Sequence, residues 1–264
     1  MTAVVCSLIE ERSVLGLVGF KCSKASRKHD RERFVSFKEC IACAETTINE
    51  CHFTAPIIKA MVQREKEERE GITVTQLSGC LRESYLSYKY DYYADLEQLY
   101  FAFRGELAHL IIERYQEEDS IAEQRFYREY NGIRISGKPD IILPAKKLIR
   151  DYKTAKEVPR FSYPFRNHTQ QVNLYAWLVP YEIDRLQVIY LDMKGVKICD
   201  APIWSKREIE EVLEKKLPVL DKAFKDNIVP PADFENWQCN GWCNVKSICR
   251  EFYEKELIER LSVS

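Results

Sequence analysis

The alternation of apolar and polar positions divides the chain into short strands and amphipathic helices. Near the N-terminus SVLGLVGFKC predicts a strand ending at Cys22, and APIIKAMVQREKEEREG (55–71) predicts a helix with a charged end. ITVTQLSGCLRESYLSYKYD (72–91) predicts a short strand and then a helix, with Thr75 as N-cap and Cys80 within its first turns. Over 96–118, Leu99, Ala102, Phe103, Leu107, Leu110 and Ile111 recur at helical spacing and form an apolar stripe of the kind that faces a core. His109 lies near the edge of that stripe, one turn before Glu113. A lone helical histidine is ordinarily a packed or surface residue.

The period then changes to two. EQRFYREYNGIRISGKPDIIL predicts a hairpin around Asn131-Gly132, a dipeptide suited to the tight turn, and KKLIRDYKT adds a third strand. SYPFRNHTQQVNLYAWLVPY (162–181) predicts a helix that carries Gln171 and Tyr175 on one face. RLQVIYLDMKGVKICDAPIW is a second hairpin, around Met193-Lys194-Gly195. In SKREIEEVLEKKLPVLDKAFKD, Ser205 and Glu208 have capping-box spacing, and Pro218 is expected to kink or divide the helix. The fold class is therefore α/β, with a small mixed sheet flanked by helices.

At 264 residues the chain has room for one substantial core plus an appendage. We place residues 1–69 in the appendage and 70–264 in the main domain. The formal net charge of −1 provides no global basic field, so nucleic acid would have to be met by a local patch. MTAVVCSLIEER lacks a basic n-region, and LGLVGF is far shorter than a membrane span, so the expectation is a cytoplasmic protein without membrane association. With no such signal, ten cysteines suggest a reducing compartment and metal ligation rather than disulfides. Cys40 and Cys43 form a CxxC pair followed by Cys51-His52, and with Cys22 they supply enough ligands for a zinc site in the N-terminal unit. Free, mostly buried thiols are the alternative. Near the C-terminus Cys239, Cys243 and Cys249 form a second candidate ligand group, without a fourth ligand nearby.

The chemistry concentrates at Asp140 and at Asp151-Tyr152-Lys153. Two strands joined by the turn LPAKK would bring the two carboxylates close, and strand alternation puts Asp151 and Lys153 on one face and Tyr152 on the other. Paired carboxylates hold Mg²⁺ or Mn²⁺ through hard oxygen ligands. Such an ion polarises a phosphoryl oxygen and lowers the pKa of a bound water. A lysine beside it can orient the water or stabilise the charge that builds up in phosphodiester cleavage. The bare pattern also fits a surface hairpin with solvated charges.

Taken in order, Cys80, His109, Gly137-Lys-Pro-Asp140, Asp151-Tyr-Lys153, Gln171-Val-Asn-Leu-Tyr175 and the terminal cysteine triplet resemble the RecB-like PD-(D/E)xK nucleases with an iron–sulfur cluster. Most closely they resemble the CRISPR-associated Cas-four exonuclease family. The resemblance covers roughly residues 70–255. It implies a restriction-endonuclease-like core with a helical iron–sulfur lobe. It implies that His109, Asp140, Asp151 and the carbonyl of Tyr152 hold the catalytic metal and that Lys153 is the catalytic lysine. Gln171 and Tyr175 would support the lysine and touch the strand, and Cys80, Cys239, Cys243 and Cys249 would ligate a [4Fe–4S] cluster. The family commonly ends in CxxC-x5-C, whereas here the first gap is three residues, which keeps zinc open as an alternative occupant.

The activity implied is metal-dependent cleavage of single-stranded DNA ends, processing spacer precursors with the integrase complex of CRISPR adaptation. Lys146, Lys147, Lys156, Arg160 and Arg166, interleaved with Tyr152, Phe161, Tyr163, Phe165 and Tyr175, are candidate DNA contacts. Two other functions remain: a RecB-like nuclease of DNA repair or of a mobile element, and a non-catalytic iron–sulfur DNA-binding or assembly module.

Overall fold

The computed structural model describes residues 16–22, 33–46, 53–62, 70–115, 117–232, 239 and 243–252. The chain divides into two units, one of Met1–Glu67, Arg82–Tyr100 and Ala232–Ser264, the other of Glu68–Leu81 and Phe101–Pro231.

In the first unit β1 (Leu17–Lys21) pairs antiparallel with β2 (Phe34–Ser36) and parallel with β4 (Tyr92–Asp95). Ser36 and Glu39 exchange hydrogen bonds and start α1 (Phe37–Thr46). The CxxC pair therefore lies on a helix turn, with Cys40 buried in the core and Cys43 half-buried, and is not a knuckle. Helix α2 spans Ala55–Val62, and the remainder of the helix expected over 55–71 lies largely outside the described residues. Cys51 and His52 also lie outside them.

The second unit begins with β3 (Ile72–Thr73) and α3 (Val74–Ser78). The cap is Thr73, which forms a reciprocal capping box with Gln76, and not Thr75. Gly79 ends α3, so Cys80 sits buried between it and α4 (Leu81–Lys89), not within a helix. In the first unit the Asp95 carboxylate accepts from the amides of Glu97 and Gln98 and caps α5 (Leu96–Arg114), whose residues from Phe101 on belong to the second.

The apolar stripe of α5 does not face a core. Leu99 is buried and Phe103 half-buried, but Ala102, Leu107, Leu110 and Ile111 are exposed. The sheet side is instead the line Gly105, His109 and Ile112. A Cβ on Gly105 would stand 3.2 Å from Thr154 Oγ1, and Ile112 packs on Ile141, Leu143 and Leu148.

Strand β5 (Ile121–Ala122) is followed by the hairpin of β6 (Phe126–Tyr130) and β7 (Ile133–Gly137). Asn131 and Gly132 both have positive φ (50° and 76°), as its two-residue turn requires. Next come β8 (Ile141–Leu143), a 3₁₀ turn at Pro144–Lys146, β9 (Leu148–Thr154), α6 (Arg166–Leu178), β10 (Arg185–Leu191), β11 (Val196–Ala201) and α7 (Lys206–Asp226). The five-stranded sheet has the order β11-β10-β9-β8-β5, in which only β9 and β10 run parallel, with α6 in the connection between them. Strands β3, β7 and β6 form a second, three-stranded sheet.

Helix α6 is shorter than the pattern over 162–181 predicts, and residues 155–165 form an irregular crossing. Pro164 disfavours helical backbone just before it, and the Phe165 amide donates to the Tyr190 hydroxyl instead of to a helix turn. In α7 Ser205 and Glu208 form the expected capping box, and Pro218 is accommodated without dividing the helix. Its buried face is Ile209, Leu213, Leu217, Leu220 and Ala223. Among the described residues no helix is long and apolar enough to cross a membrane.

Candidate active site

The site grows from the β8–β9 hairpin. The antiparallel register pairs Ile141 with Arg150 and sets Asp140 and Asp151 at the next position, at the open end of the hairpin. The Tyr152 amide donates to Asp140 Oδ2 at 2.6 Å, which fixes that carboxylate across the strand pair. Alternation along β9 sends Asp151 and Lys153 to one face, while the Tyr152 ring packs on the opposite side against Ile141, Leu143 and Leu148.

Asp151 is 1% exposed. Lys153 Nζ lies 2.7 Å from its Oδ2 as an ion pair, and Oδ1 has no hydrogen-bond partner. Burial pushes the Asp151 carboxyl up to about 6, opposed by Lys153 and reinforced by Asp140. For Lys153, burial works against the charge, but Asp151 and Asp140 outweigh it and hold the ammonium above its ordinary range.

Helix α5 brings His109 to the same place. Its Nδ1 is 3.4 Å from both Asp140 Oδ1 and Glu123 Oε1, and its Nε2 is 3.1 Å from the Tyr152 carbonyl. Hydrogen bonding to Asp140 and Glu123 raises the imidazole to about 10. Ligand atoms of His109, Glu123 and Asp140 all lie within 4.8 Å of one another, the one such group of metal-ligating side chains among the described residues.

Glu123 was not legible in the sequence. It follows the two-residue strand β5 in a left-handed conformation (φ 50°), and its amide donates to the Asp140 carbonyl at 3.1 Å. Its position depends on the pairing of β5 with β8, a long-range contact that no local spacing announces. Lys138 Nζ, 2.7 Å away, shares its carboxylate with His109, and these two cations outweigh burial to hold Glu123 ionised.

Gln171 and Tyr175 are both buried on α6, with Gln171 Nε2 donating to the Tyr175 hydroxyl at 2.9 Å. Burial, with the charge of Asp151, pushes the phenol up to about 12, so it stays protonated beside Lys153. Gly137 permits this packing, since a Cβ there would meet Tyr175 Cε1 at 2.9 Å and Leu178 Cδ2 at 2.7 Å.

Of the candidate phosphate contacts, Lys146 and Lys147 lie at the turn end of the hairpin, paired with Glu117 and Glu182. Lys156, Arg160 and Arg166 are exposed along the crossing from β9 to α6. Cys239, Cys243 and Cys249 are half-buried in the first unit. Burial raises the Cys239 thiol, and the charges of Cys249 and Glu83 add to it, while Cys243 hydrogen-bonds Glu83.

The donor set suits a hard divalent cation: the carboxylates of Glu123 and Asp140 and the His109 imidazole converge beside the Tyr152 carbonyl, and the neighbouring buried Asp151 has its Oδ1 without a partner. If Glu123 helps to hold that cation, Glu123→Gln should weaken Mn²⁺ binding about tenfold or more, since supporting groups of a metal site cost that much. Calorimetric titration of the two proteins checks this, and equal affinities would reduce Glu123 to a partner of Lys138.

No curated protein matches the chain. Among solved structures, the protein designated SSO0001 has the same fold, with a TM-score of 0.53 and 22% identity over 72% of this chain and 92% of that one. A phage-related exonuclease from Haemophilus somnus 129PT aligns with a TM-score of 0.39 and 14% identity, covering 61% of this chain and 96% of its own. The family model of the PD-(D/E)XK nuclease superfamily matches residues 119–250, half the chain and the stretch that carries Glu123, Asp140, Asp151, Lys153, Gln171 and Tyr175, and the chain therefore belongs to that superfamily of metal-dependent nucleases.

Proposed function

We propose that the chain is an exonuclease acting on single-stranded DNA ends. The observation that carries the chemistry is the buried Asp151 carboxylate, paired with Lys153 through Oδ2, with no partner on Oδ1, and set opposite Asp140. Asp140, Asp151, His109 and the Tyr152 carbonyl would hold Mg²⁺ or Mn²⁺, with Glu123 as a further ligand. The bound ion supplies Lewis acidity toward the scissile phosphate and a more acidic water. Lys153 donates to the phosphate oxygen that gains charge and orients the attacking water, a role its charged state suits. Tyr175, held by Gln171, keeps the lysine in position and closes the site toward α6.

The narrower assignment to the Cas-four exonucleases rests on the sequence resemblance and on its set of Cys80, Cys239, Cys243 and Cys249, proposed as ligands of a [4Fe–4S] cluster. In that setting the substrate would be a spacer precursor and the partner an integrase complex.

Two measurements on anaerobically purified protein test the proposal. With Mn²⁺, end-labelled linear single-stranded DNA should be degraded while a closed circle is spared. Equal cutting of both would replace the exonuclease reading with an endonuclease one. Iron and sulfide at about four each per chain support the cluster, and zinc without iron would remove it while leaving the nuclease site in place.

A further inference from the structure

Between β9 and α6 the chain crosses the sheet in residues 155–165, and this crossing is tied down along its length. The Ala155 amide donates to the Leu191 carbonyl at 2.8 Å and the Val158 amide to Asp192 Oδ2 at 2.9 Å. Lys197 Nζ donates to the Pro159 carbonyl at 2.8 Å, and the Phe165 amide to the Tyr190 hydroxyl at 3.1 Å. A segment held this firmly nevertheless turns three rings outward: Phe161, Tyr163 and Phe165 are 38%, 67% and 36% exposed. Burying rings is favourable, so a fixed loop that leaves Tyr163 two-thirds exposed beside two rings each more than one-third exposed presents a contiguous apolar patch of the kind that marks a binding surface.

The rings are arranged as a path. Phe161 and Tyr163 lie 6.0 Å apart and only 23° from parallel, and Phe165 meets Phe161 edge-on at 5.0 Å. Phe165 in turn meets His168 at 5.8 Å and Tyr190 at 5.9 Å. Tyr190 is the register partner of Lys153 in the parallel pair β9/β10, so the two side chains stand on one face of the sheet. His168 Nδ1 lies 2.8 Å from the Tyr190 hydroxyl and braces that end. Lys156, Arg160 and Arg166 flank the rings in the chain, three cations against the carboxylates of Glu157 and of Asp192 on the Val158 amide.

We propose that Phe161, Tyr163 and Phe165 form a stacking platform for the bases of a single-stranded DNA end, leading that end to Lys153. The proposal rests on the nuclease reading above and adds to it the surface that selects the strand. Ring faces beside cations fit unpaired bases, whose faces are open, with the phosphates tracked by lysine and arginine. In a duplex those faces are already stacked on one another.

The test uses the full chain with Ca²⁺ in place of Mn²⁺, so that binding is read without turnover. The probes are a labelled oligothymidylate of about twelve nucleotides and an abasic strand of the same length. The wild type should favour the base-bearing strand about 10- to 100-fold. Phe161→Ala with Tyr163→Ala should bring the preference to within about threefold of unity, because the stacking surface is gone. Phe161→Trp with Tyr163→Trp should keep it. A folding defect would weaken both strands alike and leave the ratio unmoved. An unchanged ratio in the alanine variant overturns the platform and points the rings to a protein partner, as does a wild type that binds the two strands equally. Cleavage with Mn²⁺ is scored separately. Cleavage without base preference sinks the platform alone, whereas base preference without cleavage upholds the platform and sinks the nuclease reading.

Discussion

Replacing Lys153 by alanine is expected to slow DNA cleavage about a thousandfold, the scale on which single preorganised charge-stabilising groups act. Its ammonium lies 2.7 Å from Asp151 at the open end of the β8–β9 hairpin, three-quarters covered by its neighbours, where a charge on the phosphate oxygens would be weakly screened. The same substitution strips the counter-charge from a carboxylate that is 1% exposed and whose Oδ1 has no other partner. Removing one partner of a buried pair costs about 3–5 kcal/mol when the other must stay charged. Asp151 has an escape, because its carboxyl already titrates at about 6 and can take up a proton. The stability loss in EDTA should therefore fall below that range and shrink further in acid. Mn²⁺ should recover the melting temperature of Lys153→Ala and leave its cleavage rate unrecovered. The checks are initial rates on end-labelled DNA and thermal melting with and without the ion. A variant that cleaves at more than about a tenth of the wild-type rate would remove Lys153 from the charge-stabilising role.

This split between stability and rate reflects how the site is encoded. Asp140, Asp151 and Lys153 were legible because a hairpin converts sequence distance into register: once LPAKK turns the chain, the carboxylates must meet. Gln171 and Tyr175 were legible by the same logic on a helix, and the 2.9 Å bond between them follows from their i, i+4 spacing. Glu123 was not, because its place is set by β5 joining the far edge of β8 and by a left-handed residue that no polarity pattern marks. Periodicity also misdirected the reading of α5. It showed which residues share a face, and it cannot say which face meets the sheet. The sheet took the side of Gly105, His109 and Ile112, where the missing side chain at Gly105 allows close approach to Thr154, and Leu107, Leu110 and Ile111 were left outward. The CxxC pair shows a comparable limit: the same spacing serves a knuckle or one turn of a helix, and Ser36 with Glu39 decides for the helix.

Removal of divalent metal should destabilise the wild-type protein, and the effect should grow with pH. Asp151 is raised from 3.8 to about 6 in the folded chain. A folded carboxyl that holds its proton more tightly than the unfolded one contributes stability below about pH 4, and that contribution is lost as the pH rises through 6. Above pH 6 Asp151 loses its proton in a metal-free site that already gathers the carboxyl groups of Asp140 and Glu123 around Lys153, His109 and Lys138. A divalent ion relieves this and competes with the protons on Asp151 and His109, so it binds more tightly as the pH rises. At a hundredfold excess over its Kd the ion adds about 2.7 kcal/mol, which for a domain of this size is about 5–10 °C in Tm. The gap between Mn²⁺ and EDTA melts should therefore be small at pH 5 and near that value at pH 8. In Asp151→Asn the gap should nearly close at every pH, since the titrating carboxyl proposed to hold the ion is gone. A gap that is constant from pH 5 to 8 in the wild type, or that survives in Asp151→Asn, would mean that the ion binds elsewhere and that the buried carboxylate serves only to hold Lys153.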